Sequence, residues 1–354
     1  MNKSSENTIS SLKPGDSITA YFVIRKTELK TKKNGEPYLV IEFGDHTGRI
    51  SATFWDDPMT FYEQYQTADI VKIKGTVTKY KDILQLSVDK IREAGPEDNV
   101  NRFDFLPKIN LDLEQCKKDF IEIVTSIKNK HLKTLIDKVL NNPLFKESFF
   151  IAPGGKLWHH AYMGGLLEHT LSVIMICDSM CNRYPTADRD LLLTGAVLHD
   201  IGKVEEYSFD MGYIDYSDTG RLWGHISIGA QRIRSFIEEM EQEKGFPEEL
   251  KKNVIHLILS HQGELEHGSP VLPATLEAII LYYADEMDSK ANAIKHIIDR
   301  DKAPGKKWSQ YIHLLNRFIY LGDEDFEHGK NHSDSSDDSS HESPLNLFDK
   351  SSDS

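Results

Sequence analysis

The stretch that most restricts this chain is Leu191 to Lys203, LLLTGAVLHDIGK, an apolar helix that delivers His199 and Asp200 side by side at its C-terminal end. Adjacent residues on a helix cannot both face the core, and buried polar groups need partners. Such a helix presents ligands into a cavity, and the cavity is expected to hold metal. Other segments supply matching groups: GGLLEHT puts His169 on the preceding helix, WGHISIGA puts His225 at the start of a later one, ILSHQGE ends another on His261, and LYYADEMDSK carries Asp285. Asp288 and Asp301 are acidic too, but only Asp285 follows an apolar run, so it alone is expected to point into the bundle. A single histidine near a helix end is more often a cap or a satisfied core residue. Five helical segments that each offer His or Asp at a buried end fit a site built between facing helices. The mixed set favours Mn, Fe, Co or Zn over Ca, and the two oxygens of Asp200 allow it to bridge two ions.

The first third of the chain reads differently. ITAYFVIRKTEL, YLVIEF, RISATFW, IVKIKGTVTKY and ILQLSVDKIR have strand character, KKNGEP and DHTG are turns, and DDPMTFYEQYQ reads as a helix after the third strand. This order predicts a five-stranded OB-fold barrel, a fold whose exposed face binds oligonucleotides. Period-two alternation turns Ile50, Ala52, Phe54, Val71, Ile73 and Val77 inward, and Trp55, Lys72, Lys74 and Tyr80 outward. Outward aromatics beside lysines suit single-stranded nucleic acid, because every base has a face to stack and every linkage a charge. The bland alternative is a barrel whose aromatics are core.

Together these readings predict a multidomain α and β protein: an OB-fold barrel over 12–94, a linker over 95–109, connecting helices over 110–150, and an all-α metal-binding bundle over 151–320. The bundle is expected to close with an amphipathic helix from Lys307 to Tyr320. The formal charge of −14 argues against a nucleic-acid enzyme until it is localised: the segment 322–354 holds ten acidic residues against Lys330 and Lys350. That tail, 321–354, is expected to be disordered, whereas residues 1–95, with 14 basic and 13 acidic groups, are close to neutral. Cys116, Cys177 and Cys181 make no disulfide framework and read as small buried hydrophobes. With no apolar leader and no apolar run of about 18 residues, a cytoplasmic protein is expected. The glycine-rich IAPGGKLWHHAYMGG lacks a preceding strand and the GKS/GKT ending of a P-loop. His159 and His160 within it are left outside the metal set. VEEYSFDMGYIDYSDTGRLWG reads as a hairpin or loop over the site, with Arg221 and, more weakly, Lys290 as phosphate contacts. Lys203, three residues after Asp200, is read as placing a positive charge on phosphate rather than merely complementing a helix dipole.

HHAYMGGLLEHT, VLHDIGK, LWGHISIG, ILSHQGELEHGSP and PATLEAIILYYADEMDSK, behind a small barrel, resemble the YhaM family of 3'-5' exoribonucleases over roughly residues 12–315. The order His169, His199-Asp200, Asp285 resembles the HD-domain metal-dependent phosphohydrolases, and His225 and His261 match the added histidines of their dinuclear members. The resemblance implies two divalent ions, with Mn ahead of Co, Fe or Zn; Asp200, and by its position Lys203, are read as the catalytic residues. It also implies a single-stranded RNA substrate, with single-stranded DNA and a homo-oligomer as extensions. The chain departs from relatives at Gln262, where they commonly carry a second histidine. Two other readings compete: an HD phosphohydrolase of free nucleotides, which needs no barrel, and a non-catalytic single-strand or DNA-binding protein, which needs no ligand set.

Overall fold

Five strands and one helix form the N-terminal part: β1 (Ser17–Thr31), β2 (Pro37–Asp45), β3 (Gly48–Phe54), α1 (Pro58–Gln64), β4 (Ile70–Tyr80) and β5 (Ile83–Glu93). They close a barrel in the ring order β1-β2-β3-β5-β4. The first strand is long enough to serve two neighbours, pairing with β4 over Ser17–Val23 and with β2 over Val23–Thr31. A bridge from Ser51 to Gln85 joins β3 to β5 and completes the ring. Ile50, Ala52, Phe54, Val71, Ile73 and Val77 are all buried inside with Phe22, Leu39 and Phe43, as the alternation predicts. This computed structural model of the chain describes residues 8–81, 83–107, 112–156, 158–243 and 245–322, in two units that divide after His296.

The segment read as a linker is packed. Asp98 accepts two hydrogen bonds from the Arg92 guanidinium, at 2.6 and 2.7 Å, and one from the Tyr21 hydroxyl. Phe105 joins Val23 and Ile70 of the barrel in one apolar cluster with Tyr213, while Leu106 packs with Tyr207 and Ile214. Two large apolar side chains outweigh the breakers and mixed charge around them, because each gains more by burial than a loop gains by freedom.

Helices follow: α2 (Leu113–Thr125), α3 (Lys130–Leu140), α4 (Ser148–Ile151), α5 (Gly165–Arg183), α6 (Arg189–Leu198), α7 (Lys203–Glu206), α8 (Asp218–Glu243), α9 (Glu248–Ser260) and α10 (Leu276–Asp301). A two-residue hairpin, β6 (Tyr207–Ser208) with β7 (Asp215–Tyr216), interrupts them. The side chains of Asp112, Asn129 and Asp188 accept hydrogen bonds from the first amides of α2, α3 and α6 and fix where those helices start. Phe120, Leu132 and Phe149 share one core with Val173, Val197, Ile233, Leu257 and Leu281, so α2 and α3 belong to the same packed body as the later helices. Ile121, on α2, is exposed.

In the second unit the expected helix from Lys307 to Tyr320 is absent. Trp308 bridges Tyr320 and Ile312 bridges Arg317, both antiparallel, around a single 3-10 turn at His313–Leu315. Asn316, at φ +50°, reverses the chain, and Trp308–Tyr320 and Tyr311–Phe318 pair as aromatics with centroids 5.1 Å apart. The tail from 323 onward, expected to be disordered, lies outside the described residues. Among the described residues no helix is long and apolar enough to cross a membrane.

The packed linker is testable by chemical denaturation. Phe105→Ala is expected to cost about 3 kcal/mol, the usual loss for a buried phenylalanine; an unchanged midpoint would show that the segment is not held this way.

Candidate metal centre

Every residue from Leu191 to Leu198 on α6 is buried, which leaves His199 and Asp200 emerging into the interior at 0 % and 2 % exposure. The turn that follows is crowded. A Cβ on Gly202 would stand 2.1 Å from the carbonyl oxygen of His225, so only glycine lets α8 lie against it. Inside α8, Gly224 takes φ +71° and breaks the helix, which aims His225 at Asp200 from the start of its second segment. His261 caps the end of α9, His169 sits in the first turns of α5, and Asp285 lies in the middle of α10.

The six side chains converge on two adjoining points. His169 Nε2 lies 3.2 Å from His199 Nε2, 3.4 Å from Asp200 Oδ2 and 3.2 Å from Asp285 Oδ1, and His199 Nε2 is 3.4 Å from the same Asp200 oxygen. On the other side, Asp200 Oδ1 is 3.4 Å from His225 Nε2 and 3.6 Å from His261 Nε2. Donors about 2.1 Å from one ion stand roughly 3.0–3.4 Å apart at octahedral or tetrahedral angles, which matches this spacing.

The tautomers decide what these atoms offer. His169 Nδ1 faces Asp288 Oδ2 at 2.7 Å, His199 Nδ1 faces the Ala196 carbonyl at 2.8 Å, His225 Nδ1 faces Glu206 Oε1 at 3.1 Å, and His261 Nδ1 faces the Ile258 carbonyl at 2.7 Å. Each Nδ1 therefore donates its proton outward, and each Nε2 turns a lone pair inward. Lone pairs and carboxylate oxygens repel at these distances unless a cation lies among them. Asp200 Oδ1, His225 Nε2 and His261 Nε2 are buried without any hydrogen-bond partner, so the residues fit a divalent ion.

Titration behaviour agrees. Burial, and then His199, push His261 down to about 3, so it is a neutral imidazole at any ordinary pH. Burial opposes charge on His169, yet Asp200, Asp285 and Asp288 together hold it well above the usual histidine range, so these carboxylates call for positive charge where its Nε2 meets them, supplied by a proton or by the metal ion that displaces it. Burial opposes charge on Asp200 as well, and Lys203 with His199 keeps its carboxyl well below the usual carboxylate range.

Three supporting residues escaped the reading from sequence. Asp288 joins His169 Nδ1 to His160 Nε2, at 2.7 and 2.8 Å, and Glu168 faces His160 Nδ1 at 3.3 Å. Asp288 therefore points into the bundle, contrary to expectation; it lies three residues after Asp285, on the same helical face, and that spacing was the available signal. Glu206 accepts both the backbone amide and the ring N–H of His225. Lys203 was expected to meet phosphate, but its buried ammonium donates to Asp200 Oδ2 at 2.6 Å and to the Gly154 carbonyl at 2.8 Å.

The remaining predicted contacts scatter. Trp55, 56 % exposed, stacks on Tyr38 with centroids 5.0 Å apart, beneath the Lys32 ammonium at 5.2 Å. Lys72 and Lys74 lie on β4, which β5 separates from β3 in the ring, and Lys72 covers Tyr21 at 4.9 Å. Tyr80, also exposed, stands at the β4–β5 turn beside Lys81. Arg221 pairs with Asp215 at 2.8 Å, and the exposed Lys290 pairs with Glu286 along α10.

The OB-fold nucleic acid binding domain family matches residues 22–94 and the HD domain family matches residues 166–290. The protein is thus an HD-domain metal-dependent phosphohydrolase preceded by an OB barrel. The 3'-5' exoribonuclease YhaM of Shouchella clausii is 34 % identical over 312 residues, covering 86 % of this chain and 93 % of the relative. Those of Bacillus velezensis and Bacillus subtilis are each 32 % identical over 306 residues, covering 86 % of this chain and 95 % of theirs. The chain belongs to the YhaM family.

If Asp288 orients His169, Asp288→Asn is expected to weaken divalent-metal binding roughly 10- to 100-fold in isothermal titration calorimetry, the usual cost of losing a carboxylate behind a ligating histidine. Unchanged affinity would assign Asp288 to packing alone.

Proposed function

We propose that this protein is a metal-dependent exoribonuclease that removes nucleotides from the 3' end of single-stranded RNA as 5'-monophosphates. The observation that carries the reading is Asp200, whose two buried oxygens face two separate sets of inward lone pairs. His169, His199, Asp200 and Asp285 would hold one divalent ion, and Asp200, His225 and His261 a second; Gln262 leaves that second set at three protein donors. Such ions, when bound, lower the pKa of water towards ~7 and neutralise charge developing on phosphoryl oxygens. Neutral nitrogen with carboxylate oxygen suits Mn, with Co, Fe or Zn as substitutes.

The chain's own groups have separate tasks. Asp288 and Glu206 keep the tautomers of His169 and His225 fixed, so that neither ring must turn or shift a proton. Lys203 positions Asp200: its ammonium balances one of the carboxylates crowded there and leaves Oδ1 open towards His225 and His261. On the barrel, Trp55 with Tyr38 offers an exposed aromatic stack for bases, and Lys32 sits where a phosphate passes. The RNA assignment and the 3'-5' direction rest on the family. Free nucleotides as the main substrate would leave this surface without a task.

Two measurements test the reading. Full-length protein with Mn and 5'-labelled single-stranded RNA is expected to give a ladder that shortens from the 3' end, while Asp200→Asn, or excess chelator, reduces the rate at least about 10³-fold. Intact RNA beside turnover of free nucleotides would overturn it, and single-stranded DNA of the same sequence reads the sugar preference. Trp55→Ala is expected to weaken RNA binding about 5- to 150-fold in fluorescence anisotropy, the range for one stacked base at 1–3 kcal/mol.

A further inference from the structure

Between the barrel and the candidate metal centre lies a group of cations that the proposed chemistry does not use. Arg25 on β1 and Arg49 on β3 reach Glu42 at 3.9 and 3.4 Å. Across the junction, Asp215 on β7 accepts from Lys156 and, at 2.8 Å, from Arg221. The two halves are continuous: the Arg25 guanidinium lies 5.2 Å above the ring of Tyr213, in the hairpin that carries Asp215. Lys156 and Arg221 both lean on the ring of Tyr216, at 5.1 and 5.5 Å. Four cations thus share two carboxylates, in a chain whose formal charge is −14. Arg25 feels the imbalance most: burial, and then the neighbouring Arg49, lower it to about 10.

The position gives the cluster a direction. Lys156 stands two residues after Gly154, whose carbonyl holds the Lys203 ammonium, and Arg221 stands four residues before His225. Glu206, which orients His225, accepts the Ser217 amide at the root of the same hairpin. A strand leaving the barrel for the metal centre has this junction to cross. Asp215, a single carboxylate shared by a lysine and an arginine, occupies the place that an anionic linkage would take.

We propose that Arg49, Lys156 and Arg221 form a phosphate track that carries the RNA backbone from the barrel to the metal centre, with Asp215 as its internal counter-anion and the largely buried Arg25 bracing Tyr213 beneath it. The inference rests on the ribonuclease reading above and names where the substrate runs. Cations on such a track release counterions when RNA binds, so each one removed flattens the salt dependence by about 0.7 in log K against log salt for a single strand.

The test uses the full chain in chelator, where no cleavage occurs, with 5'-fluorescein single-stranded RNA followed by anisotropy between 50 and 200 mM salt. Lys156→Gln with Arg221→Gln is expected to raise Kd about tenfold or more at the lowest salt and to flatten the slope by about 1.4, two contacts at 0.7 each. Asp215→Asn is expected to do the opposite, tightening binding, a result that general damage to the fold does not give. Lys130→Gln with Lys252→Gln removes the same charge from α3 and α9 and serves as control. The track is overturned if the control pair loses as much as the junction pair, if the junction pair keeps the wild-type slope, or if Asp215→Asn weakens binding. When any of these occurs while wild-type protein still shortens RNA from its 3' end, the track fails and the ribonuclease reading stands. A wild-type protein that neither binds nor shortens RNA removes both.

Discussion

The site depends on a division of labour within each imidazole ring. Each of the four central histidines gives its Nδ1 proton to a fixed acceptor, two to backbone carbonyls and two to carboxylates, and so has only a lone pair left for the interior. Asp200 does the same on a smaller scale, since its two oxygens face different neighbours. The acceptors belong to helix ends and to α10, whose positions the apolar core determines. The backbone acceptors of His199 and His261 lie three residues earlier, at Ala196 and Ile258, so each helix end orients its own ligand.

The barrel is attached through the same logic of shared parts. The hairpin between α7 and α8 follows directly on Glu206, beside His225, and its loop carries Tyr213 into the apolar cluster formed by Val23, Ile70 and Phe105. One short segment thus touches both the strand-binding half and the catalytic half. Close approach makes this possible: at Gly220 an added Cβ would meet the Glu206 carbonyl oxygen at 2.2 Å.

Much of this was legible in the chain beforehand. The candidate ligands His169, His199, Asp200, His225, His261 and Asp285 were readable as a set because five separate segments each offer His or Asp in or beside an apolar run, which caps and core histidines taken singly do not explain, and the barrel was readable because strand alternation separates its faces. What escaped has physical reasons. Asp288 and Glu206 sit in charged stretches, DEMDSK and KVEEY, where an acid that orients a ring looks like one that meets solvent. Alternation tells which side of a strand a residue occupies but not which strands are neighbours, so Trp55 was grouped with Lys72 and Lys74 although the ring order separates them. The apolar residues between Trp308 and Tyr320 recur at intervals that suit a helix, yet the reversal at Asn316 pairs them across a turn.

Lys203 faces Asp200, Asp285 and Glu206, and behind the histidines stand Glu168 and Asp288, all five carboxylates at least half-buried. Confined like charges raise the free energy of the folded chain, and a counter-charge taken up only by that form returns it. By mass action, a divalent ion at a hundred times its dissociation constant adds about 2.7 kcal/mol to the folded state. The resistance of a metal-loaded bundle to heat and proteases would therefore follow the surrounding ion supply as well as the sequence.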